Sequence, residues 1–523
     1  MASSSASASS SQSTVLPTIT IQHTFTEVLN DVHSGKVPSE KFWVSIYKQG
    51  QESVHARILA ELDEADRDLV VLQSPDVSFE GRGREFSVSC EKMGLAKTRV
   101  LVPIQTYVDS DRADRHERIT ALAIAPTRTH YATGGLAGDL FIYPILPPKA
   151  AFKVYHDPAS SFTESEPYAR STSHLSTVTS LAFFPSSKVL LTTSGDFSLS
   201  IFPAGDKSSQ PATPKVAKIA PARTLKAHTR AVNDSAMIGL GKQVVSAGAD
   251  GTVRVWDVGK GESVHGIWGD SEVVAVEVTS CSTAVWAHEG TKLLIYAALA
   301  TGTVAVYSIL TPTDMDLSRM TSQRTGTTER PSGGGLLTCM AMSEHFTSTS
   351  HHQIVATGFS TGLISLYQAS MSGEITATPF AQARRGTETT RIESMAFLPF
   401  PATYDHIASA SREMKAKLVV GAADGTTCVL AISLPAYPST NANDTTTTDD
   451  GDTTTVDDNT ATYDSSPSTV DVDISLEAEL AGTDCDAVYI VRVVPTDSLL
   501  PGDEVEIWTG SDNGVVRRYL YPV

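Results

Sequence analysis

The stretch VVSAGADGTVRVWDVG, residues 244–259, decides the reading of this 523-residue chain. Behind the turn residues Asp250 and Gly251, Val253 and Val255 alternate with Thr252 and Arg254, and the run closes on the indole of Trp256. A period of two behind an Asp-Gly turn marks a half-buried β-strand entered from a tight turn. Six other segments repeat the pattern: AGDLFIY, DFSLSIF, TGTVAVY, TGLISLY, DGTTCVL and NGVVRRY, ending at Tyr143, Phe202, Tyr307, Tyr367, Leu430 and Tyr519. Two further strand-like pieces precede most of these turns, for example 119–125 and 178–184, so each unit holds material for a four-stranded antiparallel sheet.

Seven such units, 51 to 89 residues apart, predict an all-β fold, a seven-bladed WD-repeat β-propeller. The excess over the roughly 40–45 residues of a compact repeat goes into loops. The N-terminal part has a different texture. Residues 1–17, dominated by Ser and Ala, read as a disordered tail. Residues 18–97, with a helix-like piece from Phe25 to Val32 and alternating runs at 42–47 and 86–89, read as a small N-terminal α+β domain, and 98–523 as the propeller. An insertion at about 436–474 holds nine Asp between 441 and 473 and no Lys or Arg, which marks a mobile acidic loop. The chain ends four residues after Tyr519, too few for an outer strand of the last blade. The apolar run 99–104 is therefore expected to pair with that blade and close the ring.

In the deciding repeat, His228, Ser246, Asp250 and Trp256 are spaced for a structural hydrogen-bond tetrad: the Asp orients the His, the His meets the Ser, and the Ser reaches the indole N–H. Repeat two carries a looser set, His174, Thr192, Asp196 and Phe202, the last without a donor. A Ser, a His and an Asp also occur in hydrolases, but no G-x-S-x-G elbow accompanies them. Residues 239–243 lack the length and the hydroxyl of a phosphate-binding loop, and neither His351-His352 nor His288-Glu289 has the rest of a metal set. The chain is thus read as a non-enzyme with no catalytic residue, cofactor or metal.

A net charge of -19 repels a phosphate backbone and favours a basic protein partner over nucleic acid. No apolar run approaches the roughly 18 residues of a membrane span. The five cysteines, Cys90, Cys281, Cys339, Cys428 and Cys485, are scattered and read as reduced thiols. A soluble monomer of the cytoplasm, extending to the nucleus, is the expectation.

Together with residues 244–259, the strings FSVSCEKMGLAKTRVLVPIQTY (86–107), LAGTDCDAVYIV (480–491) and DNGVVRRYLYPV (512–523) resemble the proteasomal ATPase-associated factor family. The resemblance spans most of the chain and is weakest across blades four to six. It implies an assembly chaperone of the proteasome regulatory particle whose propeller binds C-terminal domains of the ATPase subunits. Asp484 and Asp486 match the family string and are the candidate contacts, and Arg517 and Arg518 match as strand residues. On charge alone, Asp109, Asp111, Asp114 and Glu117 extend the acidic rim. The alternatives are a ubiquitin-ligase substrate receptor, for which Trp256-Asp257-Val258-Gly259 lacks the Arg of a Trp-Asp-x-Arg end, and a ribosome-assembly scaffold, which calls for basic surfaces.

Overall fold

A computed structural model describes residues 13–109, 117–148, 162–205, 216–280, 292–310, 320–343, 352–386, 390–399, 414–434, 472–494 and 504–522. The first twelve residues of the Ser/Ala tail, all but the last residues of the acidic insertion, and Asp111 and Asp114 lie outside them.

Seven antiparallel blades form a ring. Blade three shows the plan: Val232–Ile238, Gln243–Gly248, Thr252–Asp257 and Glu262–Trp268 pair in that order from the axis outward. The first strands of the others are Ile119–Ile124, Val178–Phe183, Val273–Ser280, Leu337–Met342, Ile392–Phe397 and Val488–Val494. Each packs on the first strand of the next blade, and Val488–Val494 packs on Ile119–Ile124, so the circle is complete. Because neighbours cover both faces of a blade, its middle strands are near-continuous apolar runs, as in Lys292–Leu299 and Thr303–Leu310. All seven repeat segments form third strands, and the second residue of each segment takes a positive φ. Six of these residues are Gly; in blade two it is Phe197, at φ 72°.

Every first strand bulges at its second residue: Thr120, Thr179, Asn233, Val274, Thr338, Glu393 and Tyr489. A bulge turns one extra side chain out of the ladder. Here four of the seven reach the carbonyl that opens the next blade: Thr120 donates to Val178 at 2.6 Å, Thr179 to Val232 at 2.5 Å, Asn233 to Val273 at 2.8 Å and Thr338 to Ile392 at 2.5 Å. These bonds latch blade to blade around the axis.

Ring closure differs from the sequence expectation in register. The strand that completes blade seven is Gln105–Val108, antiparallel to Val516–Pro522, with Val516 opposite Tyr107. The run expected there pairs elsewhere: Arg99, Val100 and Leu101 lie parallel to Ala478, Glu479 and Leu480 on the outer strand of blade six. Pro103 separates the two pairings, and a residue without an N–H suits such a break. The expected boundary between 97 and 98 consequently falls inside one strand, Leu95–Leu101.

That strand joins the N-terminal unit to the ring. Thr18–Ile21, Ser39–Tyr47, Val54–Leu62 and Val70–Gln73 form one sheet, the helix Phe25–His33 packs on it, and Ser78–Arg82 and Glu85–Cys90 continue outward from Leu95–Leu101. Phe25, Phe42, Phe79 and Phe86 cluster at its centre with ring centroids 5.3 to 6.1 Å apart. The last residues of the expected tail are also placed. Thr14–Val15 pairs parallel with Ala383 and Arg384 of blade five because Leu16, 4% exposed, fills an apolar gap beside it.

Candidate protein-interaction site

Antiparallel pairing brings three parts of every blade to one rim: the loop entering the first strand, the turn between the second and third, and the end of the fourth. Blade three shows how the rim is built. Ser246 sits on the second strand, Trp256 on the third, Asp250 in the turn and His228 in the entering loop. Trp256 Nε1 donates to Ser246 Oγ at 2.8 Å, Ser246 Oγ lies 2.7 Å from His228 Nε2, and His228 Nδ1 lies 3.0 Å from Asp250 Oδ2. Since the indole N–H points at the serine oxygen, the serine proton goes to Nε2 and the ring proton sits on Nδ1, facing the carboxylate. Burial depresses the His228 pKa against the pull of Asp250, so the ring is a neutral structural part. Burial works to raise Asp250, but hydrogen bonds from Thr252 and the Thr229 N–H outweigh it and hold the group at about 2. In blade two, His174 lies 2.6 Å from Thr192 Oγ1 and 2.9 Å from Asp196 Oδ2, while Phe202 packs edge-on to the ring.

Of the acids singled out in the sequence, the four described, Asp109, Glu117, Asp484 and Asp486, fall on this rim but differ in what they can offer. Asp484, in the loop entering blade seven, is exposed, with His23 Nδ1 3.4 Å from its Oδ1. Asp486 accepts a 2.6 Å hydrogen bond from Asn513 Nδ2, which ties the entering loop to the next turn. Asp109 accepts from the Tyr143 hydroxyl at 2.7 Å, and with Glu117 it borders a water-sized cavity of about 30 Å³ beside Tyr107 and Tyr131. Arg517 is buried and donates to Ser511 Oγ. Arg518 pairs with Glu506 at 2.6 Å and donates to Gln105 Oε1 at 2.8 Å, fastening the closing strand.

Sequence reasoning missed the apolar members of the rim. Leu136 in the blade-one turn is 51% exposed, Leu175 entering blade two 89%, Phe197 in the blade-two turn 48% and Leu336 entering blade five 61%. A side-chain hydrogen bond joins two of these loops, Thr177 Oγ1 donating to the Leu136 carbonyl at 3.2 Å. Exposed acids Asp270 and Glu272, entering blade four, were also missed. Each is a lone loop residue in the sequence, and only the shared rim makes them a set.

The half-buried charges Asp234, Glu277 and Arg492 lie on first strands, toward the axis. Asp234 accepts from the Val276 N–H at 3.1 Å and Arg492 donates to the carbonyls of Leu122 and Val491. Burial, helped by the charge of Asp234 and opposed by Arg492, pushes the Glu277 carboxyl up to about 7. Among the described residues no three His, Cys, Asp or Glu side chains are grouped to hold a metal, and no helix is long and apolar enough to cross a membrane. Cys90, Cys339 and Cys428 are buried free thiols and Cys485 is an exposed one.

Residues 165–202 and 219–257 match the sequence family described as WD domain, G-beta repeat. Each match starts near the fourth strand of one blade and ends with the third strand of the next, and together they take in the two blades that carry the His-centred networks. No curated protein matches the chain.

Proposed function

We propose that the propeller is a non-catalytic holder of protein partners, acting as an assembly chaperone of the proteasome regulatory particle that binds C-terminal domains of the ATPase subunits. The observation that carries the holding role is the composition of one rim: exposed Leu136, Leu175, Phe197 and Leu336 stand in the same ring of loops as exposed Asp484, Asp270 and Glu272. Apolar anchors within a charged surround are the anatomy of a protein interface. The acids would select and steer a basic partner, in keeping with the net charge of -19. The chaperone role itself rests on the strings at 86–107, 480–491 and 512–523. Asp484 is the contact among them, whereas Asp486, Asp109 and Glu117 serve to shape the loops around it.

The test is capture of each purified ATPase C-terminal domain by the immobilised full-length protein at low and high salt. The expected result is salt-sensitive capture of one or two domains, weakened about fivefold by Asp484→Ala and further by Leu175→Ala, each removing on the order of 1 kcal/mol. Failure to capture any of the domains overturns the chaperone reading.

A further inference from the structure

Four of the seven blades extend their outer edge with a parallel fifth strand. Ala217–Lys218 adds to blade one, Thr14–Val15 to blade five, Leu95–Leu101 to blade six and Phe162–Glu164 to blade seven. Among the described residues, blades two, three and four end at their fourth strand, with that edge unpaired. An unpaired edge presents a row of backbone donors and acceptors to any extended chain.

The edge of blade three, Glu262–Trp268, has a groove of about 490 Å³ beside it, lined among others by Lys226, Ala227, Arg254, Trp256 and Trp268. Two of these side chains lack an internal explanation. Arg254 Nε is buried and has no acceptor among the described residues, an arrangement that costs free energy until something fills it. Trp268 is 74% exposed, and its ring lies against Gly266 rather than in a core. Gly266 stands directly opposite Arg254 in the sheet, so the outer strand has no side chain of its own at that register and only the exposed Trp268 ring lies beside it. The charge of the groove is opposite to that of the molecule. Lys226 and Arg254 line it, and Arg223 adjoins it, donating to the Gly259 carbonyl at 2.7 Å. Glu262 is the one acid in the lining, in a chain of net charge -19.

We propose that this edge is a docking site for an extended acidic peptide of a partner protein. The peptide backbone adds to Glu262–Trp268 as a fifth strand, in the manner that four other blades already receive one. A Glu or Asp opposite the Gly266 gap reaches Arg254 and Lys226, and the indole of Trp268 covers the segment alongside. The groove lies on the flank of the ring, so the proposal does not rest on the chaperone reading.

The experiment titrates three fluorescein-labelled nine-residue peptides into the full-length protein and reads anisotropy and tryptophan emission. One peptide alternates Val and Glu, one alternates Val and Lys, and the third is the Val-Glu peptide with alternate Val changed to Pro. The expected result is binding of the first alone, weakened about tenfold by Arg254→Gln, by Lys226→Glu and by Trp268→Ala, and weakened at high salt. Lys226 and Trp268 are exposed, so their variants report even where Arg254→Gln disturbs the fold. The proposal is overturned if the Val-Glu peptide does not bind, if the Val-Lys or Pro-containing peptide binds as well, if the Lys226 and Trp268 variants bind as wild type does, or if the protein dimerises through this edge and excludes the peptide.

Discussion

Ser246 holds two buried groups at once, accepting from the Trp256 indole while meeting the His228 ring, and it is 0% exposed. Ser246→Ala leaves both without a partner where water cannot reach, at about 1–3 kcal/mol per group. A loss of about 3 kcal/mol in urea unfolding is expected; a loss under 0.5 kcal/mol would mean the tetrad is ornamental. Acid acts on the same network. The folded His228 has a depressed pKa, so as pH falls below about 6.5 the unfolded chain takes up a proton that the native ring refuses, and stability drops. Asp250, held at about 2, adds a loss of the same sign between its unfolded value and about 2. Glu277 works the other way, since its raised pKa gives stability that fades as pH rises toward about 7. Comparing wild type with His228→Leu cancels Glu277, and the wild-type slope of stability between pH 6.5 and 5.5 should be steeper by up to about 1.4 kcal/mol per pH unit. Parallel slopes would show that His228 does not titrate across folding. Phe197 is a residue of the opposite kind, a side chain in a left-handed turn that costs about 1–2 kcal/mol. Phe197→Gly should raise the urea midpoint by the equivalent of about 1 kcal/mol and, if the rim holds a partner, weaken capture of it. These residue-scale features differ in how readable they were. The tetrad shows in sequence because its members recur at fixed spacing, whereas the exposure of Phe197 is a tertiary fact.

At the scale of strands, the seven third strands were legible because turn and alternation coincide in a few residues. The latches were legible in principle. Ile119-Thr120, Val178-Thr179, Val232-Asn233 and Leu337-Thr338 repeat an apolar residue followed by a short donor at the head of a strand. That pattern acquires meaning only when the bulge turns the donor toward the next blade. Other joints have no local signal at all. Arg385, just past the outer strand of blade five, meets Glu479 on the outer strand of blade six at 2.7 and 2.9 Å, both buried, beside the Pro17 carbonyl. Such a pair costs little if both members go and much if one is left. Glu479→Gln should lower stability by about 3–5 kcal/mol, and the double change Arg385→Met with Glu479→Leu should recover most of it. A double variant as unstable as the sum of its parts would show that the two side chains act separately.

For the whole molecule, the question is what keeps a ring of seven blades from opening between its first and last. Length and repeat count pointed to a closing strand from the N-terminal side. Apolar content then pointed to 99–104, because Gln105–Val108 opens on two polar residues and the partners of both stretches lie almost a chain length away. Leu95–Leu101 flanks blade six and Gln105–Val108 completes blade seven, so the N-terminal unit and the closure are separable in principle. A chain starting at residue 103 keeps the closing strand, with its Tyr107–Val516 pairing and the Arg518–Gln105 hydrogen bond, but uncovers the outer strand of blade six. It should remain a folded monomer with a lower Tm. A chain starting at residue 110 also loses the outer strand of blade seven, exposing a long unpaired edge that invites association. That version should lose its single cooperative thermal transition and form oligomers in light scattering. If the two truncated chains melt alike and stay equally monomeric, closure does not reside in Gln105–Val108, and the ring is held instead by the latches and apolar faces between its inner strands.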